Sequence, residues 1–134
     1  MKKFILSCIT IMMVVGLLCG KGYAYTDISG AQAYAMYQNN KELIIVDVRD
    51  RSEYCRGHIP CIILYSWNHG VFANEFHNLP TDAPILIVCR SGNRSGKAAA
   101  MLDKNGYKTV YNLEEGMYSW PEPTVTCDDE ENCE

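Results

Sequence analysis

The chain has 134 residues, with 12 Lys and Arg against 16 Asp and Glu and a net charge of −4 at neutral pH. That balance excludes a general nucleic-acid binder, which needs a basic face. The length suits one globular domain around a single core, and no internal repeat is visible.

Met1 to Ala24 has the plan of a secretory leader: Lys2 and Lys3, then 17 uncharged and mostly apolar residues from Phe4 to Gly20, then Gly22-Tyr23-Ala24 as a small-x-small cleavage site. Cleavage there would start the mature chain at Tyr25 and place it in the periplasm or outside the cell. An uncleaved anchor is the rival reading, because 17 residues reach the lower end of a spanning helix. Cys19 invites a lipid anchor, but Leu18 is larger than the residue that usually precedes such a cysteine. Loss of residues 1–24 removes three lysines and no acid, leaving nine basic and sixteen acidic residues, a net −7. No membrane contact is expected after cleavage.

From Tyr25 onward apolar runs alternate with helical stretches. Ser29 can cap a helix through Ala31, Ala33, Tyr34 and Tyr37, which Asn39-Asn40 would end. Leu43 to Val46 is apolar on both faces, as a central parallel strand must be. Cys61 to Tyr65, Ile85 to Val88 and Thr109 to Tyr111 are the other expected strands. Weaker helices are expected over Ser52 to Cys55 and Val71 to Asn78, and a better one from Ser95 to Asn105 with alanines at 98, 99 and 100. The alternation predicts an α/β fold, a parallel sheet with helices on both faces and its site at the carboxyl ends of the strands.

Cys89 falls at such an end, in Val88-Cys89-Arg90-Ser91-Gly92-Asn93-Arg94-Ser95-Gly96-Lys97. A strand-to-helix turn lets backbone N–H groups converge on one point, and the helix N-terminus adds partial positive charge, so the turn can hold an anion or a thiolate. Arg90, Arg94 and Lys97 are cations, and no acid stands between Cys89 and Leu102. A phosphate-binding Walker loop is ruled out by the Gly92 to Gly96 spacing and by Ala98 where Ser or Thr must hold magnesium. Asp47, Arg49 and Glu53 follow a strand at the same sheet edge, where an acid and an arginine more often satisfy each other than react. Cys55, His58 and Cys61 lack a fourth ligand, and His69 and His77 are isolated. Neither a metal nor a cofactor is expected.

Cys89 to Ser95 resembles the active-site loop of rhodanese-like sulfurtransferases. The similarity extends to Val46-Asp47-Val48-Arg49 with Glu53-Tyr54 and Gly57-His58-Ile59-Pro60, and to Tyr111-Asn112-Leu113-Glu114-Glu115-Gly116-Met117 with Trp120, covering residues 26–122. The resemblance implies a single rhodanese-like domain over 25–123 in which Cys89 carries a persulfide. The backbone from Arg90 through Ser91, Gly92, Asn93 and Arg94 to Ser95 would cradle it, with Arg90 and Arg94 orienting the incoming anion. Asp47 and Arg49 would act as supports behind the loop. The implied partners are a small anionic sulfur donor such as thiosulfate and a thiol acceptor, which could be a protein. Four residues separate Cys89 from Arg94, whereas Cys-based phosphatases of similar fold use five, so the resemblance implies a pocket sized for sulfur. A carrier or sensor that holds a persulfide, or only an anion, without turnover is the other reading.

Two features depart from the family pattern: Glu115, where glycine is frequent, and the cysteines at 55, 61, 127 and 133. Residues 124–134 contain five acids within the last eight positions and are expected to be an appendix beyond the domain. If Cys89 stays free, the other four cysteines of the mature chain can pair in three ways. The local pairs, Cys55 with Cys61 and Cys127 with Cys133, are the first expectation; cross-pairing would tie the tail to the domain.

Overall fold

A computed structural model describes residues 24–133, so the leader expected over 1–24 lies, but for Ala24, outside the described residues. Five parallel strands form one sheet in the order β1-β5-β4-β2-β3: β1 is Thr26–Ile28, β2 Ile44–Asp47, β3 Ile63–Leu64, β4 Ile85–Val88 and β5 Val110–Leu113. Helices α1 (Gly30–Asn39), α2 (Arg51–Arg56), α3 (Val71–Glu75) and α4 (Asn93–Lys104) connect them.

β4 lies at the centre, and all four of its residues are buried. Successive side chains of a strand point to opposite faces, so Ile85 and Ile87 pack with Phe72 of α3 and with Ala98, Ala99 and Leu102 of α4. Leu86 and Val88 pack on the other side with Ala33 of α1, Ile59 and Trp120. Burying each such aliphatic contributes about 1.5–3 kcal/mol, and because both faces are covered the strand reads as an unbroken apolar run. Ser29 caps α1: its hydroxyl accepts from Gln32 N while Gln32 Oε1 accepts from Ser29 N, a reciprocal pair that satisfies two otherwise orphan donors.

Several expected boundaries move. β1 was not foreseen; it is a three-residue edge strand whose first two residues are exposed, and it is held by pairing with β5. β3 is shorter than Cys61 to Tyr65 because Cys61 adopts φ 60, which breaks the extended run. The stretch from Val71 divides into α3 and a 3-10 turn, Phe76–Asn78. α4 starts at Asn93 rather than Ser95, since Gly92 supplies the left-handed cap at φ 94.

The tail is not a free appendix. Val125 exchanges two backbone hydrogen bonds with His58, each 2.9 Å. Disulfides join Cys55 to Cys127 and Cys61 to Cys133, so the local pairing expected from proximity in sequence is replaced by the cross-pairing. The reason is geometric: the bridge at Val125 lays the tail along the end of α2 and the turn after it, setting each tail cysteine opposite one in the domain.

Candidate active site

Cys89 follows β4, and its sulfur turns back over the start of α4. Sγ accepts from Gly92 N at 3.1 Å and lies 3.2 Å from Ser95 Oγ, which can donate to it. Burial penalises the thiolate, but the Ser95 hydroxyl and the backbone N–H groups of Ser95, Ser91 and Gly92 outweigh that penalty and hold the pKa below that of an ordinary thiol. The residue is only 1% exposed. The donors that stabilise the sulfur also cover it, so the thiol is an enclosed one.

Ser95 is buried, while Ser91 and Asn93 are exposed, and of those two it is Ser91 that reaches the sulfur, through its backbone N–H. The loop rests on the segment after β5. Met117 N donates to Cys89 O at 2.8 Å, and Tyr118 N donates to Arg90 O. Gly116, at φ 64, makes that approach possible, since a Cβ there would lie 2.3 Å from the Arg90 carbonyl carbon. Glu115 takes φ −96, open to any L-residue. The departure from the family pattern therefore costs the loop nothing.

The cations around the loop are not alike. Arg94 makes a two-pronged pair with Glu53 of α2, Nη1 to Oε2 at 2.8 Å and Nη2 to Oε1 at 3.0 Å. This pair is the main reason the Glu53 pKa falls to about 2. Arg94 thus braces the loop against α2 with its charge balanced by Glu53. Arg49 is tied in the same way to buried Asp47, with Nη2 to Oδ2 at 2.7 Å, and also donates to Gly57 O at 2.8 Å. Asp47 and Arg49 therefore satisfy each other at the sheet edge.

Arg90 has no carboxylate partner among the described residues. Its Nε donates to Tyr118 OH, and its guanidinium carbon sits 5.4 Å from the centre of that ring. Arg90 lines a cleft of about 330 Å³ together with Arg49, Glu53, Arg56, Gly57, Met117 and Tyr118. Sequence reasoning missed Arg56 and Tyr118, because nothing local marks them; only the fold brings α2 and the Gly116–Ser119 turn to one cleft. Lys97 faces a different cleft, beside Asp27 and Glu114.

The other polar candidates are structural. His58 is buried, stacks on Tyr54 with ring centres 3.7 Å apart and donates from Nδ1 to Tyr54 O. Its Nε2 lies 2.5 Å from Glu131 Oε1 of the tail. The sulfurs of Cys55 and Cys61 are taken up in the two disulfides. His69 lies at the surface 3.8 Å from Asp50, and the His77 ring packs on Phe76.

The model of the rhodanese-like domain matches residues 29–122. Thiosulfate sulfurtransferase GlpE of Pseudomonas entomophila is 39% identical over 93 residues, covering 69% of this chain and 82% of that protein. Putative sulfurtransferase YtwF of Bacillus subtilis is 34% identical over 94 residues, covering 70% and 88%. A rhodanese-like domain protein from Staphylococcus aureus superposes with a TM-score of 0.68 at 27% identity, covering 75% of this chain and 97% of that one.

Proposed function

Because the chain belongs to the rhodanese-like domain family, whose relatives are named as sulfurtransferases, we propose that it moves sulfane sulfur through a persulfide on Cys89, with thiosulfate or a similar anion as donor. The observation that carries this reading is the Cys89 sulfur, enclosed by the Gly92 N–H and the Ser95 hydroxyl and eased toward the thiolate. In the first half-reaction the Cys89 thiolate attacks the outer sulfur of thiosulfate. The S–S bond of the donor breaks, its electron pair leaves on sulfite, and Cys89 becomes a persulfide anion; charge and electrons balance without an external oxidant. The amides that hold one thiolate suit the persulfide as well, since both present a single anionic sulfur. Arg90, whose charge no carboxylate among the described residues balances, is the cation proposed to meet the donor.

We also propose export to an oxidising compartment. Its support is the leader pattern of residues 1–24 and the closed pairing of four cysteines with Cys89 left free.

The test is mass spectrometry of the purified protein after thiosulfate treatment. A gain of one sulfur on Cys89, discharged by cyanide or a thiol and absent in Cys89→Ser, is the expected result. An unmodified Cys89, with hydrolysis of an aryl phosphate that Cys89→Ser abolishes, would replace the reading with a phosphatase. Persulfide formation without discharge to any acceptor would leave a carrier.

A further inference from the structure

The charges lining the cleft beside the cysteine loop do not cancel. Arg49 is balanced by Asp47, and Glu53 by Arg94. Arg56 and Arg90 have no acidic partner among the described residues. In a chain of net charge −4, this leaves two uncompensated cations at one mouth. The remaining wall, Met117 and Tyr118, offers a thioether and a ring 69% exposed as a residue, a surface for a carbon chain. At about 330 Å³ the cleft exceeds what a small sulfur oxyanion fills, being roughly ten times the share of one water at about 30 Å³. Cys89 itself is not on its lining, but Arg90, the next residue in the chain, is, so the cleft opens beside the cysteine loop.

Arg56 is also the residue that the tail holds in place. It is the last residue of α2, and the backbone on both sides of it is pinned: Cys127 N donates to Cys55 O, His58 and Val125 exchange two bonds, and Gly57 O accepts from Arg49. Gly57 also lies so close to Thr124 that a Cβ there would come within 2.6 Å of its hydroxyl. The Cys55–Cys127 disulfide closes the bracket. The tail lies past the family match, which ends at residue 122. The bracing of Arg56 therefore comes from residues beyond the family match.

We infer that the sulfur acceptor is a small thiol carrying a carboxylate, and that Arg56, presented by the docked tail and aided by Arg90, is the residue that selects it. This rests on the persulfide reading of Cys89. The acceptor thiolate attacks the outer sulfur of the persulfide, the bond to Sγ breaks, and its electron pair returns to Cys89 as thiolate, while the acceptor leaves as its own persulfide. The carboxylate stays outside the reaction and contributes through charge-assisted hydrogen bonds at the mouth.

The experiment starts from full-length protein whose Cys89 persulfide has been confirmed by mass. Its discharge is then followed with 3-mercaptopropionate, 2-mercaptoethanol and cysteamine, each rate expressed per thiolate. A preference of about fivefold for 3-mercaptopropionate over 2-mercaptoethanol, with cysteamine slowest and the spread shrinking in high salt, is expected. Arg56→Gln should bring the ratio of the first two rates close to one, and Arg56→Lys should restore most of it. A ratio unchanged in Arg56→Gln, or rates for all three thiols that fall together, would overturn the inference while leaving the persulfide reading intact. Failure of Cys89 to gain sulfur at all would sink that reading instead, and the mass measured at the outset separates the two.

Discussion

Cys89 is held between opposing effects. Burial raises the cost of its thiolate, and four donors reduce it, the Ser95 hydroxyl foremost among them. A hydrogen bond to a charged group is worth about 1.5–3 kcal/mol, and 1.36 kcal/mol corresponds to one pKa unit. Ser95→Ala should therefore raise the midpoint of Cys89 alkylation by iodoacetamide; an unmoved midpoint would mean that the backbone amides alone set the thiolate. Glu53 has the clearest pH signature. Its folded pKa of about 2 lies below the ordinary carboxylate value of 4.5, so its contribution to stability is complete above pH 4.5 and is lost as pH falls through about 2. Glu53→Gln should cost about 1–2 kcal/mol at neutral pH, given that the pair is mostly but not fully buried. Urea unfolding from pH 6 down to pH 2 should show the variant falling less steeply than the parent protein.

At the scale of elements, α2 gathers the supports of the site. It carries Glu53 for the loop, Cys55 for the tail and Arg56 for the cleft. Each disulfide spans a sequence separation of 72, for which the chain-entropy estimate is about 4 kcal/mol for the first bond, far more than either local pair would give. The second bond adds less, because its loop overlaps the first. Reduction should lower the melting temperature by about 15 °C or more, read by circular dichroism with and without a reductant. Peptide mapping without reduction should find Cys55 linked to Cys127; a Cys55–Cys61 peptide would contradict the placement of the tail. Glu131 adds a charge to that docking. Its hydrogen bonds from Cys61 N–H and His58 lower its pKa, so this contribution is present above the ordinary carboxylate range and fades on acidification through its lowered value.

For the molecule as a whole, the first described element begins at Thr26, just beyond the proposed cleavage site. A chain starting at Tyr25 should fold with the same melting temperature as one purified after export. One starting at Ser29 should be less stable, because it deletes β1 and exposes the edge of β5, to which β1 pairs over three residues. Equal stability of the two truncated forms would show that β1 adds nothing. Residues 1–24 found intact on protein from its native cell would refute cleavage.

What the linear chain determined by itself was whatever depends on near neighbours in sequence. The Ser29 cap, the unbroken apolar runs of β2 and β4 and the helix after Cys89 are local patterns, and the turn between β4 and α4 follows from two of them meeting. The Cys89 loop was legible for the same reason, since its donors lie within six residues of the sulfur. What only the tertiary structure decided lies between segments distant in the chain. Arg94 looked like a free cation until Glu53, 41 residues away, balanced it; the tail looked like a solvated appendix until a bridge at Val125 set its cysteines against Cys55 and Cys61. Charge and exposure are properties of a residue's surroundings, and those surroundings exist only once the sheet has brought α2, the Cys89 loop and the tail to one edge.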